Sequence, residues 1–269
     1  PGLTNKLPVA MKGLRHMLTQ EQVAQYHRDG YVVPDFRLPA ETLEAIQTDH
    51  TRLVNNHPEF RNYCPTVLAY DLAFLNHVRI PAVLDMVEQV IGEDFALWNS
   101  SFFAKPAHDG QATPWHQDGE YWPLRPLATC TVWIAVDAAT HDNGCLRLIP
   151  GSHKAKTLWQ HHTNSAPDLT LNQELLPSEF DEENAVDLVL ESGQMSLHDI
   201  YMVHGSEANH SPQSRRGMTL RYFPTTSVFD RALATERALA GNFLDHKDRS
   251  LFLMRGVDRS GKNDFRLRW

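Results

Sequence analysis

Cysteine is scarce in this chain. Cys64, Cys130 and Cys145 are an odd number of thiols, far apart in sequence. They suggest neither a disulfide framework nor a Cys-x-x-Cys zinc site, and the expected setting is reducing and cytoplasmic. Long apolar runs are also missing. None approaches the ~18 residues of a membrane span, and the N-terminal residues lack the apolar centre of a secretory signal. Nor is there a surplus of basic charge. With 25 Lys+Arg against 33 Asp+Glu the net charge is -8, which disfavours non-specific nucleic-acid binding. No basic run or aromatic-basic stripe argues otherwise, and no repeat, linker or low-complexity segment stands out. The expected partner is a small-molecule substrate, with no nucleic acid and no membrane; the sequence is silent on oligomeric state.

What remains is an ordinary globular composition, 42% hydrophobic and 22% charged over 269 residues. That is enough chain for one large domain with a sizeable core. Residues 1–18 read as an arm or a short edge strand. Thr19-Gln20-Glu21-Gln22 reads as a capping box, with Gly30 as the helix stop. Tyr31-Val32-Val33 follows as a strand. Further helices are expected over 39–56, with Leu43, Ile46 and Leu53 on one face, and over 80–91, with Val83, Met86, Val87 and Val90 inward. From residue 94 the texture changes to short strands separated by Gly, Pro and Asn turns. Over 129–136, Thr129, Thr131 and Trp133 share one face, and Cys130, Val132, Ile134 and Val136 the other. Residues 154–184 read as a loop over the mouth of the barrel, and the tail from 231 resists assignment. The pattern predicts a mainly β fold, an antiparallel barrel or jelly roll with flanking helices packed on one sheet. The divisions are a helical part over about 1–93, a core over about 94–226 and an extension over 227–269.

The chain's chemistry centres on Trp115-His116-Gln117-Asp118-Gly119. His116 and Asp118 are two apart, so on a strand both side chains leave the same face. They supply two thirds of the 2-His-1-carboxylate triad that holds Fe(II) and leaves positions open. A distant histidine must complete it, and His204, in Met202-Val203-His204-Gly205-Ser206, is the candidate. Arg215-Arg216 lies between the His204 strand and a strand over 218–223. A dicarboxylate co-substrate that chelates iron through its keto-acid end needs a cation at its far carboxylate. Arginine suits that role through its planar fork and permanent charge. Ser206 or Thr131 as a hydroxyl, and Trp133 as a broad ring, would position the rest. His198 and Asp199 point to opposite faces of a strand and are set aside. His153 reads as structural and His161-His162 as loop surface; Asn99 reads as structural before co-substrate contact. Tyr121, Trp122 and Arg125, just after the metal strand, and Arg221, inward on the last strand, are candidate substrate contacts.

These motifs together resemble the phytanoyl-CoA dioxygenase family of Fe(II)/2-oxoglutarate oxygenases. The matching stretches are His116-Gln117-Asp118 with Tyr121-Trp122-Pro123 and Arg125-Pro126; Asn143-Gly144-Cys145-Leu146 through Pro150-Gly151-Ser152-His153-Lys154; and His204-Gly205-Ser206 with Asn209, Ser211 and Arg215-Arg216. The resemblance implies a double-stranded β-helix, the cupin-like jelly roll. It implies His116, Asp118 and His204 as iron ligands and Arg215, eleven residues after His204, as the 2-oxoglutarate arginine, with Arg216 open as its neighbour. Trp133 and Ser206 match positions that contact 2-oxoglutarate. Fe(II), 2-oxoglutarate and O2 would be required, succinate and carbon dioxide would be co-products, and a C–H bond would be hydroxylated. Halogenating relatives carry a small residue in place of the carboxylate; Asp118 favours hydroxylation. With no basic cluster suited to a CoA 3′-phosphate, a small polar or zwitterionic substrate of amino-acid, betaine or phosphonate type is expected. The alternatives are a cupin-like metal enzyme that does not use 2-oxoglutarate, and a catalytically inactive metal-binding or sensor protein on the same fold.

Overall fold

The computed structural model describes residues 17–240 and 244–267. The arm or edge strand expected over 1–18 lies, apart from Met17 and Leu18, outside the described residues. Two antiparallel sheets carry the fold. The larger runs in the order Tyr31–Val32, Met195–Asp199, Cys130–Ala135, Arg215–Pro224, Phe95–Lys105 and Phe252–Arg255, and Tyr63–Cys64 also pairs with Phe95–Lys105. The smaller runs Val186–Leu188, Leu146–Leu148, Val203–Ser206 and Thr113–Gln117. Side chains from both sheets line one cavity, so the sheets face each other as the two halves of a jelly roll.

Strand alternation decides what each face carries. Cys130, Val132 and Ile134 join Met218, Leu220 and Tyr222 in one buried cluster with Ile46, Val83, Met86 and Val87 from the helices. The intervening residues Thr131, Trp133, Arg215, Thr219 and Arg221 turn to the cavity. One sheet face is therefore an apolar floor for helices, and the other is a polar wall for chemistry. The helix Pro81–Ile91 buries Val83, Leu84, Met86, Val87 and Val90 on that floor, each side chain contributing about 1.5–3 kcal/mol. The helix Gln20–Asp29 forms the expected capping box: the Thr19 hydroxyl accepts from the Gln22 amide at 3.1 Å, and the Gln22 side-chain carbonyl accepts from the Thr19 amide at 2.9 Å. It stops at Gly30, whose φ of 86° lies in the left-handed region.

Three expectations are revised. Residues 154–184 are not all loop, because His161–Thr163 pairs with Gln173–Leu175 as a hairpin. Arg215 and Arg216 do not precede the last core strand but begin it, as Arg215–Pro224. The unassigned tail contains a helix, Arg231–Leu239, and an edge strand of the large sheet, Phe252–Arg255. The three cysteines are buried and free. Among the described residues no helix is long and apolar enough to cross a membrane.

Candidate active site

The strands Thr113–Gln117 and Val203–Ser206 pair so that His116 stands opposite His204, with ring centroids 4.2 Å apart. Asp118 follows where the first strand gives way to a short 3-10 turn, Asp118–Glu120. The ligand atoms of His116, Asp118 and His204 all lie within 4.8 Å of one another, and all three residues are buried. The Asp118 Oδ1 is 3.6 Å from Nε2 of His116 and 4.0 Å from Nε2 of His204. The Nδ1 of each histidine donates to a backbone carbonyl, Pro114 at 2.8 Å and Met202 at 2.9 Å. Both rings thus turn a free Nε2 lone pair towards the carboxylate, the orientation a metal-binding histidine needs. Burial pushes the Asp118 carboxyl up, but the imidazoles of His116 and His198 and the charges of His204 and Arg221 outweigh it and hold the carboxyl well below its usual range. Burial, reinforced by His116, holds His204 well below the ordinary histidine value. An anionic oxygen and a neutral ring nitrogen are the forms a metal takes, so the donor set fits a divalent ion of the Fe(II) type.

The opposite sheet closes over this trio. The Thr131 hydroxyl donates to Asp118 Oδ2 at 3.2 Å, so it orients the carboxylate from the cavity lining. His198, set aside from sequence, belongs here: it pairs in register with Thr131, and its Nε2 stands 3.7 Å from the same Oδ2. Among the described residues neither ring nitrogen of His198 has a hydrogen-bond partner. His198 and Asp199 do point apart, and the apolar Met195 and Leu197 were the signal that His198 is the one facing inward.

Arg215 forms the far end of the pocket. It is 2% exposed; its Nε donates to the Gly144 carbonyl at 3.0 Å, Nη1 to the Phe103 carbonyl at 3.0 Å and Nη2 to the Ser206 hydroxyl at 3.3 Å. Among the described residues no carboxylate lies within 4.0 Å of it, and burial pushes its pKa down to about 10. Its guanidinium sits 5.2 Å from the Trp133 ring centre. Arg216 points the other way and pairs with Asp137 through Nε at 2.8 Å and Nη2 at 2.7 Å, because adjacent strand residues alternate. Two residues escaped the sequence reading. Gly217 lies so close to Trp133 that a Cβ there would meet the ring Cζ2 at 2.2 Å. Lys105, 1% exposed, is buried behind Arg215; burial, then the Arg215 charge, holds its pKa well below the lysine value.

Beyond the trio the cavity opens into an outer chamber lined by Tyr121, Trp122, Arg221 and the hairpin tip over 164–172. Residues 154–184 thus do reach over the mouth. The Tyr121 hydroxyl is tied to the Gln173 backbone, donating to its carbonyl and accepting from its amide, both at 3.0 Å. Asn99 lines the outer chamber and donates to the Pro65 carbonyl at 2.9 Å, away from the trio. Arg125 is not in the site. It is exposed and donates to the Leu124 carbonyl at 2.6 Å, since the strand Leu124–Arg125 buries Leu124 and turns its neighbour outward. His161 is not loop surface: its side chain is 2% exposed, and its Nε2 accepts from the Gln117 amide at 3.2 Å, bracing the metal strand.

The family description for phytanoyl-CoA dioxygenase matches residues 15–217. This chain belongs to the phytanoyl-CoA dioxygenase family. Among its family relatives, a phytanoyl-CoA dioxygenase domain-containing protein 1 homolog of Dictyostelium discoideum is 34% identical over 255 residues, covering 76% of this chain and 91% of the relative. A probable alpha-ketoglutarate-dependent hypophosphite dioxygenase of Stutzerimonas stutzeri is 29% identical over 147 residues, covering 54% of this chain and 51% of the relative. The chain thus spans about half the length of that curated relative. Among solved structures, the apo form of the non-heme monooxygenase ThoJ superposes with a TM-score of 0.71 at 25% identity, covering 91% of this chain and 88% of that one.

Proposed function

We propose that this member of the phytanoyl-CoA dioxygenase family is an Fe(II)- and 2-oxoglutarate-dependent dioxygenase that hydroxylates a C–H bond of a small polar or zwitterionic molecule. The observation that carries the reading is one cavity with two unlike demands. On one side stand a carboxylate and two imidazoles with converging donor atoms. On the other stands a buried guanidinium with no carboxylate partner among the described residues. A cupin-like metal enzyme without 2-oxoglutarate needs only the first of these. The name of the Stutzerimonas relative supports the same co-substrate.

In this reading His116, Asp118 and His204 are the residues that would hold the iron. Iron held there would supply the oxidative chemistry, in which 2-oxoglutarate and O2 give succinate and carbon dioxide and a C–H bond becomes C–OH. Arg215 receives the far carboxylate as a charge-assisted pair. Ser206 accepts from Arg215 and keeps its own proton to donate to the same carboxylate. Trp133 forms the flat wall beside it, and Thr131 fixes the unused oxygen of Asp118. Tyr121 and Trp122 line the approach and exclude water from the reacting end. One catalytic domain in a reducing, cytoplasmic setting belongs to the same proposal, supported by the three buried free thiols.

The test is substrate-stimulated decarboxylation of 2-oxoglutarate with Fe(II) across amino acids, betaines and phosphonates. Succinate should form in the wild type, and His116→Ala should form none and bind no Fe(II) by direct metal analysis. Turnover surviving in His116→Ala would remove the metal assignment. Iron binding with no succinate from any substrate would favour the inactive-sensor alternative.

A further inference from the structure

Arg221 lines both the inner pocket and the outer chamber. It is only 4% exposed, yet among the described residues no carboxylate approaches within 4.0 Å. Its Nη1 donates to the Ser101 hydroxyl, and its Nε is buried with no hydrogen-bond partner. Its guanidinium lies 5.0 Å from the Trp122 ring centre and 5.8 Å from that of Phe103. These contacts hold the plane, and among the described residues no acceptor meets the Nε–Nη2 edge. His246 also lines the outer chamber. Arg249 donates through Nε to His246 Nδ1 at 3.3 Å, and it too has no carboxylate within 4.0 Å among the described residues. Burial, then the charges of Arg249 and Arg221, pushes His246 down to about 3, so a neutral imidazole with its remaining proton on Nε2 completes this wall. The carboxylate that feels Arg221 is Asp118, whose oxygens are already engaged by the histidines and Thr131.

A buried cation without a counter-charge is strongly unfavourable, and proteins keep one where an anion arrives with a ligand. The keto acid does not supply that anion here. Arg215 and Arg221 lie on one strand six residues apart, roughly 20 Å along the backbone at ~3.3 Å per residue. Trp133 of the neighbouring strand pairs with Thr219, between them, and Thr131 pairs with Arg221 itself. A five-carbon diacid anchored at Arg215 and chelated at the trio ends there. Whatever fills the Arg221 edge belongs to the second molecule.

We propose that the substrate carries a carboxylate that binds side-on to Nε and Nη2 of Arg221, with its carbon frame between Tyr121 and Trp122 and the C–H bond to be oxidised turned to the trio. The inference rests on the hydroxylase reading and narrows its substrate class, because a planar bidentate anion matches the open edge of the Arg221 guanidinium.

The experiment is thermal unfolding of the full chain loaded with Ni(II) and 2-oxoglutarate, so that Arg215 is occupied and no turnover occurs. It is titrated at matched ionic strength with acetate, methylphosphonate or the neutral acetamide. Acetate should raise Tm saturably, by about 5–11 °C at hundredfold excess over its Kd; acetamide should not, and Arg221→Gln should abolish the acetate response. The acetate–acetamide contrast is read on the wild type, so it stands even if the variant fails to fold. Equal responses to acetate and acetamide, no response to either, a larger response to methylphosphonate, or a full acetate response in Arg221→Gln would each overturn the assignment. If Ni(II) with 2-oxoglutarate gives no shift of its own, the hydroxylase reading fails separately. The acetate titration is then run on Arg215→Ala, where Arg221 is the cation under test.

Discussion

Gly217→Ala tests the co-substrate end of the cavity with the smallest change the sequence allows. A Cβ at this position would meet Trp133 Cζ2 at 2.2 Å, Cε2 at 2.5 Å and Nε1 at 2.8 Å. Carbon atoms pack at about 3.5–4.0 Å, so the indole must retreat by more than about 1 Å. It has little room. The Arg215 guanidinium is 5.2 Å from its centre, and its strand is hydrogen-bonded on both sides, to Met195–Asp199 and to Arg215–Pro224. Overpacking of this kind costs about 1–3 kcal/mol, and the displaced cation–π contact adds about 0.5–2 kcal/mol at a desolvated site. At about 2–4 °C per kcal/mol for a chain of this size, the summed cost of about 1.5–5 kcal/mol should lower Tm by roughly 3–20 °C. The KM for 2-oxoglutarate should rise by roughly tenfold or more, since a 1 Å misplacement of a positioning group is felt strongly. Fe(II) affinity should not change, because the histidines stand on the other sheet. Adding Trp133→Phe removes the ring atoms that clash, so the double variant should regain much of the lost Tm while keeping the raised KM. Unchanged Tm and KM in Gly217→Ala, or no thermal recovery in the double variant, would refute the packing argument.

Arg215→Ala should raise the KM for 2-oxoglutarate by roughly tenfold or more, as expected for a lost charge-assisted pair, and Arg216→Ala should leave it unchanged; steady-state kinetics in 2-oxoglutarate separate the two. Acid sensitivity follows from three buried histidines. Burial pushes His50 and His161 down to about 4 and His246 to about 3, whereas the unfolded imidazoles titrate near 6.5. The unfolded chain therefore binds more protons below about pH 6.5, so stability is full above that value and is lost as pH falls through about 4. The slope approaches three protons, about 4 kcal/mol per pH unit. Denaturant titrations at pH 7, 6 and 5 should show it, and His50→Gln should reduce the slope by about a third.

Much of this was legible in the sequence because it depends on local rules. Alternation on the 129–136 strand separated the apolar floor from the cavity face, and the His-x-Asp spacing put two donors on one side. The Thr19 capping box and the Gly30 stop followed from backbone hydrogen-bond requirements. What escaped depends on register between distant strands. His198 enters the site because Met195–Asp199 pairs with Cys130–Ala135, a pairing no local pattern fixes. Arg125 reads as a site residue by nearness in sequence to Asp118, but burial of Leu124 turns it to solvent. Gly217 carries no sequence signal of its own; it matters because Trp133, on a neighbouring strand, crosses over it. The edge strand Phe252–Arg255 is short, and only the long strand it pairs with makes it regular.

The distribution of charge ties the two proposals together. Facing the cavity are two buried guanidiniums, Arg215 and Arg221, against one carboxylate, Asp118. A divalent ion on the trio leaves that lining with three uncompensated positive charges in a space where water cannot screen them. A dianionic keto acid removes two and satisfies Arg215. The third is at Arg221, and only a second anion reaches it. A substrate carboxylate brings the lining to neutrality; a neutral substrate leaves a buried charge, and a dianionic phosphonate overshoots by one. The same arithmetic implies binding in sequence. Before the keto acid arrives, Arg215 and Arg221 both draw a small carboxylate, so excess substrate should compete with 2-oxoglutarate. Once Arg215 is occupied, Arg221 is the guanidinium left open, and the substrate is held at the end of the cavity where oxidation can reach it.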